Sequence, residues 1–292
     1  MHSPFPAYTT VHREETSKQE DNRDERKQRA LAPIGVFDSG VGGLTILTAL
    51  GQELPHEDFI YFGDTAHNPY GARSEEEITE LSVRACRFLS EQGVKLIVIA
   101  CNTASQAALN TLRATFTLPI VGVVPAVKPA ARMTKQGRIG VAATNRAAQA
   151  TYLRQLIDDF AEGIEVYTIG APELVELVEQ GKFDGPEVEE ALRHALHPLL
   201  AQNVDVIVLG CTHFPALRPA IEHVAGKQVQ IVDSGAAIAR RTSAILDAEE
   251  LLHPANHRGW RQVWCSGNPI VFSNVASKLL GYPITAQQIT RY

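Results

Sequence analysis

The stretch KLIVIACNTA, residues 95–104, decides the fold once it is set beside DVIVLGCTHF, residues 205–214. Each has an apolar run, a small residue, a cysteine (Cys101 or Cys211) and then a threonine that could open a helix. Such an uninterrupted run reads as a strand buried on both faces, the kind a parallel sheet needs. Working outward, β-like runs fall at 34–37, 59–62, 120–123, 139–141, 166–169 and 230–232, with helical patterns at 75–92, 186–201 and 234–248. Ser74 to Glu77 has capping-box spacing, and Gly93 marks the end of that helix. Strands alternating with helices predict an α/β fold, parallel-rich sheets flanked by helices. A second matched pair, VFDSG at 36–40 and IVDSG at 231–235, favours two related halves over coincidence.

The 292 residues are 45% hydrophobic and 21% charged, enough chain for two ordinary domains. A net charge of −6 argues against direct nucleic-acid binding, which needs a basic stripe. No apolar run approaches the ~20 residues that span a bilayer. The first ten residues lack the apolar core of a signal peptide, so a cytoplasmic location is expected, with no membrane partner. Four cysteines without a Cys-x-x-Cys read as free thiols. Residues 11–30 are almost all polar with charges of both signs, and order is expected to begin near Pro33.

A cysteine at the C-terminal end of a parallel strand sits where open α/β sheets place ligands. The following helix aims free N–H groups at the same place, which lowers a thiol pKa and can hold a carboxylate. Cys86 and Cys265 lack that setting and read as buried small hydrophobes. For Cys101 and Cys211 four uses stand open: a redox pair, a zinc site with His213 and Asp38, a Cys211–His213 nucleophile, or a base and an acid on opposite faces of one stereocentre. The last employs both cysteines, since thiol pKa values near ~8.5 let one be thiolate and the other thiol. Gly40-x-Gly42-Gly43 is a poor dinucleotide fingerprint, because Thr45 stands where the third glycine would fall. Lys128 has no phosphate-binding surroundings and reads as a surface lysine.

The motifs GVFDSGVGGLT (35–45), YFGDTAHNPYG (61–71), ACNTAS (100–105), GVVPA (122–126), GCTHFP (210–215) and DSGAA (233–237) follow one another in the order found in bacterial glutamate racemases. From residue 33 to about 245 the chain resembles that family, the glutamate branch of a wider group that includes aspartate and hydantoin racemases. The resemblance implies two pseudo-symmetric α/β domains with the active site in the cleft between them. The first would comprise 33–124 plus 235–292 and the second 125–234, with 1–32 a disordered or frayed tail. It implies reversible racemisation of L- and D-glutamate without metal or organic cofactor, supplying D-glutamate for peptidoglycan. Cys101 would take the α-proton of D-glutamate and Cys211 that of L-glutamate. Asp38 would assist near Cys101 and the substrate ammonium, and His213 would assist Cys211. Ser39, Asn102, Thr103, Thr212 and His213 would bind the ammonium or carboxylates, and the Tyr70–Gly71 backbone the side-chain end. Asp64 and His67 either orient the loop before Tyr70 or are solvated.

Glu179 aligns with the supporting acid of the family, with Glu176 the competing choice and Glu173 near the same face. The resemblance would make Thr144 a further ligand, but Asn145-Arg146-Ala147 departs from relatives that carry a second threonine or serine near 147. Some relatives with an extended N-terminus are activated by a UDP-muramoyl-alanine precursor, which the tail and residues 234–241 make an expectation here, as is a homodimer. An aspartate racemase and a metal-dependent hydrolase using Cys211, His213 and Asp38 are the alternatives. Beyond 249 little matches.

Overall fold

The computed structural model describes residues 26–292, so most of the expected tail, residues 1–25, lies outside the described residues. Residues 26–30 are helical, ahead of the expected onset at Pro33. The buried Lys95 ammonium donates to the Ala30 carbonyl at 2.6 Å, tying this segment to the core.

Two parallel sheets organise the rest. The first holds β1 (Ile34–Asp38), β2 (Phe59–Gly63), β3 (Leu96–Ile99) and β4 (Ile120–Gly122). The second holds β5 (Arg138–Ala143), β6 (Glu165–Gly170), β7 (Val206–Leu209) and β8 (Gln230–Val232). Two further strands, β9 (Arg261–Cys265) and β10 (Ala286–Gln288), extend the first sheet to the order β10-β9-β2-β1-β3-β4. The second sheet runs β6-β5-β7-β8, so the order β2-β1-β3-β4 is repeated strand for strand. Every pairing is parallel.

This topology corrects the expected repeat. Cys101 and Cys211 follow the equivalent strands β3 and β7, but the two Asp-Ser-Gly segments follow β1 and β8, which are not equivalent. Their likeness is turn chemistry: in each, the glycine N–H donates to the aspartate Oδ1 two residues earlier, at 2.8 Å. The true counterpart of IGVFDS (34–39) is IGVAAT (139–144), which sets Ser39 opposite Thr144 and Asp38 opposite Ala143.

Alternation along each strand sends side chains to two faces. One face of the first sheet, with Val36 and Val98, joins a cluster that continues through Ile207 and Leu209 of the second. The opposite faces bury separate clusters, with Phe37, Phe62 and Ile97 in one half and Val141, Val206 and Val208 in the other. The chain crosses between sheets twice, near Val124 and Ser234, and the Ser234 hydroxyl donates to the Val124 carbonyl. Ser74 caps the helix Glu75–Glu91 by accepting from the Glu77 N–H, and Gly93 has φ +74, as a helix stop requires. No helix among the described residues is long and apolar enough to cross a membrane.

Candidate active site

The C-terminal ends of β1, β2, β3, β5 and β7 converge on one cavity. Ser39, Asn68, Tyr70, Gly71, Cys101, Asn102, Thr103, Thr144, Cys211, Thr212 and His213 line it, so both halves contribute. Its volume is ≈ 20 Å³, about the room a single water needs.

Cys101 is the N-cap of the helix Asn102–Thr115, and its sulfur accepts from the Ala104 N–H at 3.5 Å. The thiol points to the Ser39 hydroxyl at 3.6 Å. Sequence reasoning expected the helix terminus to lower this thiol's pKa. Instead burial, reinforced by the Asp38 carboxylate, pushes it up to about 12, and the Ala104 N–H only partly opposes that. Dehydration of a sulfur anion outweighs one N–H dipole here.

Cys211 stands on a different shelf. No α-helix starts at Thr212; the chain takes a 3₁₀ turn at Phe214–Leu217, and the helix Arg218–Ala225 begins after it. The partner of Cys211 is His213, whose Nδ1 lies 3.6 Å from Sγ. His213 Nε2 meets Glu179 Oε1 at 2.6 Å, and the same oxygen accepts the Val41 N–H at 2.9 Å. Burial would lower the His213 pKa, but the hydrogen bonds and charges of Cys211 and Glu179 together hold it well above its ordinary value. Of the competing glutamates, Glu176 is exposed on the same helix and only Glu179 reaches His213. The glycines of 40–43 acquire a reason. A side chain at Gly40 would collide with Glu179 and Asn68, and a Cβ at Gly42 would sit 2.5 Å from His213 Nδ1.

Asp38 lies fully buried behind this cavity. Its Oδ1 accepts the Gly40 N–H at 2.8 Å and its Oδ2 accepts the Thr212 hydroxyl at 3.0 Å. Burial raises its pKa, against the His213 charge and these hydrogen bonds. Thr103 and Thr144 share a hydroxyl–hydroxyl bond of 3.0 Å. Each shelf's threonine thus reaches across to the other half, Thr212 to Asp38 and Thr103 to Thr144.

Tyr70 turns its hydroxyl away, donating to Asp64 Oδ2 at 2.7 Å, which leaves its ring and backbone to the cavity. Asp64 is no solvated loop residue: it is fully buried and also receives Ser266 at 2.6 Å and contacts His67 Nδ1 at 2.8 Å. Sequence reasoning missed Asn68, Pro69 and Val175, which also line the cavity. An Asn-Pro pair reads as a turn and a valine on an amphipathic helix reads as core, so neither carried a usable signal. Asn68 Nδ2 and Asn102 Oδ1 are buried without a hydrogen-bond partner, one donor and one acceptor at the same cavity. Such pairing demands are met by a ligand that offers one acceptor and one donor.

Cys86 and Cys265 are core residues, Cys86 with its pKa pushed to about 12 by burial. Lys128 lies over the Phe160 ring at 4.7 Å. Among the described residues Cys211, His213 and Asp38 do not form a grouping with metal-ligand spacing, and His213 meets Cys211 through Nδ1 and Glu179 through Nε2. Among the described residues the grouping with metal-ligand spacing is Asp58, His253 and His257. It precedes β2 and β9, at the opposite ends of the strands.

A profile of the Asp/Glu/Hydantoin racemase family matches residues 45–242. The glutamate racemase of Herpetosiphon aurantiacus is 46% identical over 243 residues, covering 83% of this chain and 96% of that protein. A glutamate racemase isoform from Bacillus anthracis superposes with a TM-score of 0.81 at 33% identity, over 88% of this chain and 97% of that one. The Escherichia coli glutamate racemase, in complex with L-glutamate and the activator UDP-MurNAc-Ala, gives 0.79 at 36% identity, over 89% and 99%.

Proposed function

The chain belongs to the Asp/Glu/Hydantoin racemase family, and we propose that it interconverts L- and D-glutamate by a two-base mechanism between Cys101 and Cys211. One observation carries the reading: the two cysteines follow equivalent strands of a repeated sheet and line one cavity. In the D-to-L direction Cys101, a thiol at rest, passes its proton to the Asp38 carboxylate and as thiolate takes the α-proton, while the Cys211 thiol delivers its own proton to the opposite face. The thiolate then resides on Cys211, with the protonated His213 beside it as counter-charge and Glu179 balancing His213. The L-to-D direction reverses each transfer.

Asp38 assists on the Cys101 side as the acceptor of that proton, its charge disfavouring a thiolate that stands beside it unprotonated. Asn102, with its unpaired Oδ1, suits the substrate ammonium, and Asn68 Nδ2 suits a carboxylate. Ser39, Thr103, Thr212, Thr144 and the Tyr70–Gly71 backbone complete the substrate shell. A cavity of ≈ 20 Å³ holds no glutamate, so binding needs the cleft to open. The two halves, 33–124 plus 235–292 and 125–234, act as the moving domains, hinged where Ser234 meets Val124. Closing then excludes water, which strengthens every interaction with the carbanion.

The cell-wall purpose, D-glutamate for peptidoglycan, belongs to this proposal. So does activation by a UDP-muramoyl-alanine precursor, favoured by a ≈ 270 Å³ cavity at the crossing point that includes Thr45, Thr212, Ser234 and Gly235. A homodimer is proposed through the exposed pair Ile270 and Val271, and light scattering tests it. The central test is D-glutamate in D₂O with no added cofactor. Circular dichroism should show decay to the racemate while proton NMR shows deuterium entering the α-position. Aspartate racemised faster than glutamate would overturn the substrate assignment, and no exchange with either would overturn the racemase reading.

A further inference from the structure

A second, larger cavity adjoins the one between the cysteines. It has a volume of ≈ 390 Å³ and shares Gly71 and Thr103 with the inner cavity. Its walls come from both halves: Glu75 and Gln106 from the first, Arg146 and Tyr152 from the second. Two lining residues, Gln106 and Arg146, also carry polar atoms buried with no hydrogen-bond partner, namely Gln106 Nε2, Gln106 Oε1 and Arg146 Nε. Native folds rarely leave buried donors and acceptors unpaired, and each such group asks for a partner. Arg146 also feels the Glu76 carboxylate, but Glu76 is fully exposed and water screens that attraction.

The chemistry of the walls defines what fits them. A guanidinium N–H and a primary amide together suit a carboxylate. The Glu75 carboxylate in the same lining suits an ammonium. An acidic amino acid carries both charges with a carboxylate to spare. The inner cavity, ≈ 20 Å³ and lined by the hydroxyl-bonded Thr103 and Thr144, admits nothing of that size, whereas the outer one does.

We infer that the outer cavity is an antechamber for the acidic amino acid, in which Arg146 and Gln106 hold a substrate carboxylate before it passes Thr103 and Thr144 into the cleft. The inference rests on the racemase reading above. Arg146 is a positioning residue in it, touching the substrate on approach and not at the reacting carbon. An oriented positive charge at the mouth of a cleft raises the capture rate without altering the chemical step.

The test compares wild type, Arg146→Gln, Arg146→Lys and Gln106→Met by racemisation of D-glutamate at low and high ionic strength, with thermal melts to verify folding. Arg146→Gln should lose about tenfold in kcat/KM at low salt with kcat unchanged, and the deficit should shrink at high salt. Arg146→Lys, which keeps the charge, should recover most of the loss, and Gln106→Met should lose about threefold through one missing carboxylate hydrogen bond. A folded Arg146→Gln with wild-type kcat/KM at low salt, or with its loss confined to kcat, overturns the antechamber and leaves the racemase reading standing. An inert wild type overturns the racemase reading, and the antechamber with it.

Discussion

Around Cys101 the ionisable neighbour is a carboxylate, Asp38; around Cys211 it is an imidazole, His213, backed by Glu179. The scaffold under the two is the same, a cysteine just past the third strand of a β2-β1-β3-β4 order that the second sheet repeats. The side chains on that scaffold are not repeated. The place of Asp38 is filled by Ala143 in the second half, and two residues past Cys101 stands Thr103, where His213 stands past Cys211. Repetition supplies the geometry, two thiols aimed at one space. Divergence supplies opposite charge: an anion that disfavours thiolate at Cys101, and a cation that can accompany one at Cys211. A reversible reaction needs the first property to be symmetric and tolerates asymmetry in the second.

The most drastic way to break the comparison is to remove either thiol. Cys101→Ala and Cys211→Ala should each lose about 10³-fold or more in both directions, because each direction needs a base on one face and an acid on the other. Initial rates from pure D- and pure L-glutamate measure this. Near-wild-type activity in either variant would sink the two-base mechanism.

The assistants should separate the two shelves. Asp38→Asn keeps the acceptor for the Gly40 N–H and can donate to Thr212, yet removes a buried charge. It should cost about 10²-fold in rate while leaving the melting temperature at neutral pH equal or higher. Glu179→Gln breaks the ionic contact of His213 and should cost about tenfold in rate, with a stability change of the opposite sign. The folded pKa of His213 is raised above its unfolded value, so its pairing stabilises fully below about pH 6.5. That stability disappears as pH rises through the raised pKa. Asp38 has the same sign, since its folded pKa is also raised, but its window starts lower, near the ordinary carboxyl range. Melting curves across pH should therefore show the wild type losing stability from neutral to alkaline conditions and Glu179→Gln losing less. A lower melting temperature for Asp38→Asn than for Glu179→Gln at neutral pH would reverse the assignment of charges.

Much of this was legible in the sequence because it is local. The eight β-like runs all became strands, and the cysteine motifs sit where strand-end chemistry expects them. What was illegible depends on the fold. β9 and β10 extend the first sheet at its edge, and RQVWC and AQQ are too short and too polar to stand out. The thiol pKa was misjudged because a sequence shows the helix start but not the dehydration around it. The 3₁₀ turn after Cys211, in place of the α-helix start found after Cys101, is likewise not announced by the matching motif. The resemblance already favoured Glu179 over Glu176, but the contact with His213, 34 residues away, is something helical spacing alone could not supply.

The smallest expected effect sharpens the comparison most, because it asks whether the two cross-half threonine bonds are equivalent. Thr103 binds a neutral hydroxyl and Thr212 binds a buried carboxylate that is already desolvated. Hydrogen bonds to charged groups are worth roughly twice those between neutral ones. Thr103→Val should therefore cost about fivefold in kcat/KM, from about 1 kcal/mol. Thr212→Val leaves Asp38 with one fewer donor, so its pKa should climb further and the rate should fall most at the acid end of the pH profile. Thr103 has no titratable partner, and its variant should scale the profile down without moving it. Identical profile shifts in both variants would mean that Thr212 is not acting through Asp38, and that the two shelves are more alike in charge than their side chains imply.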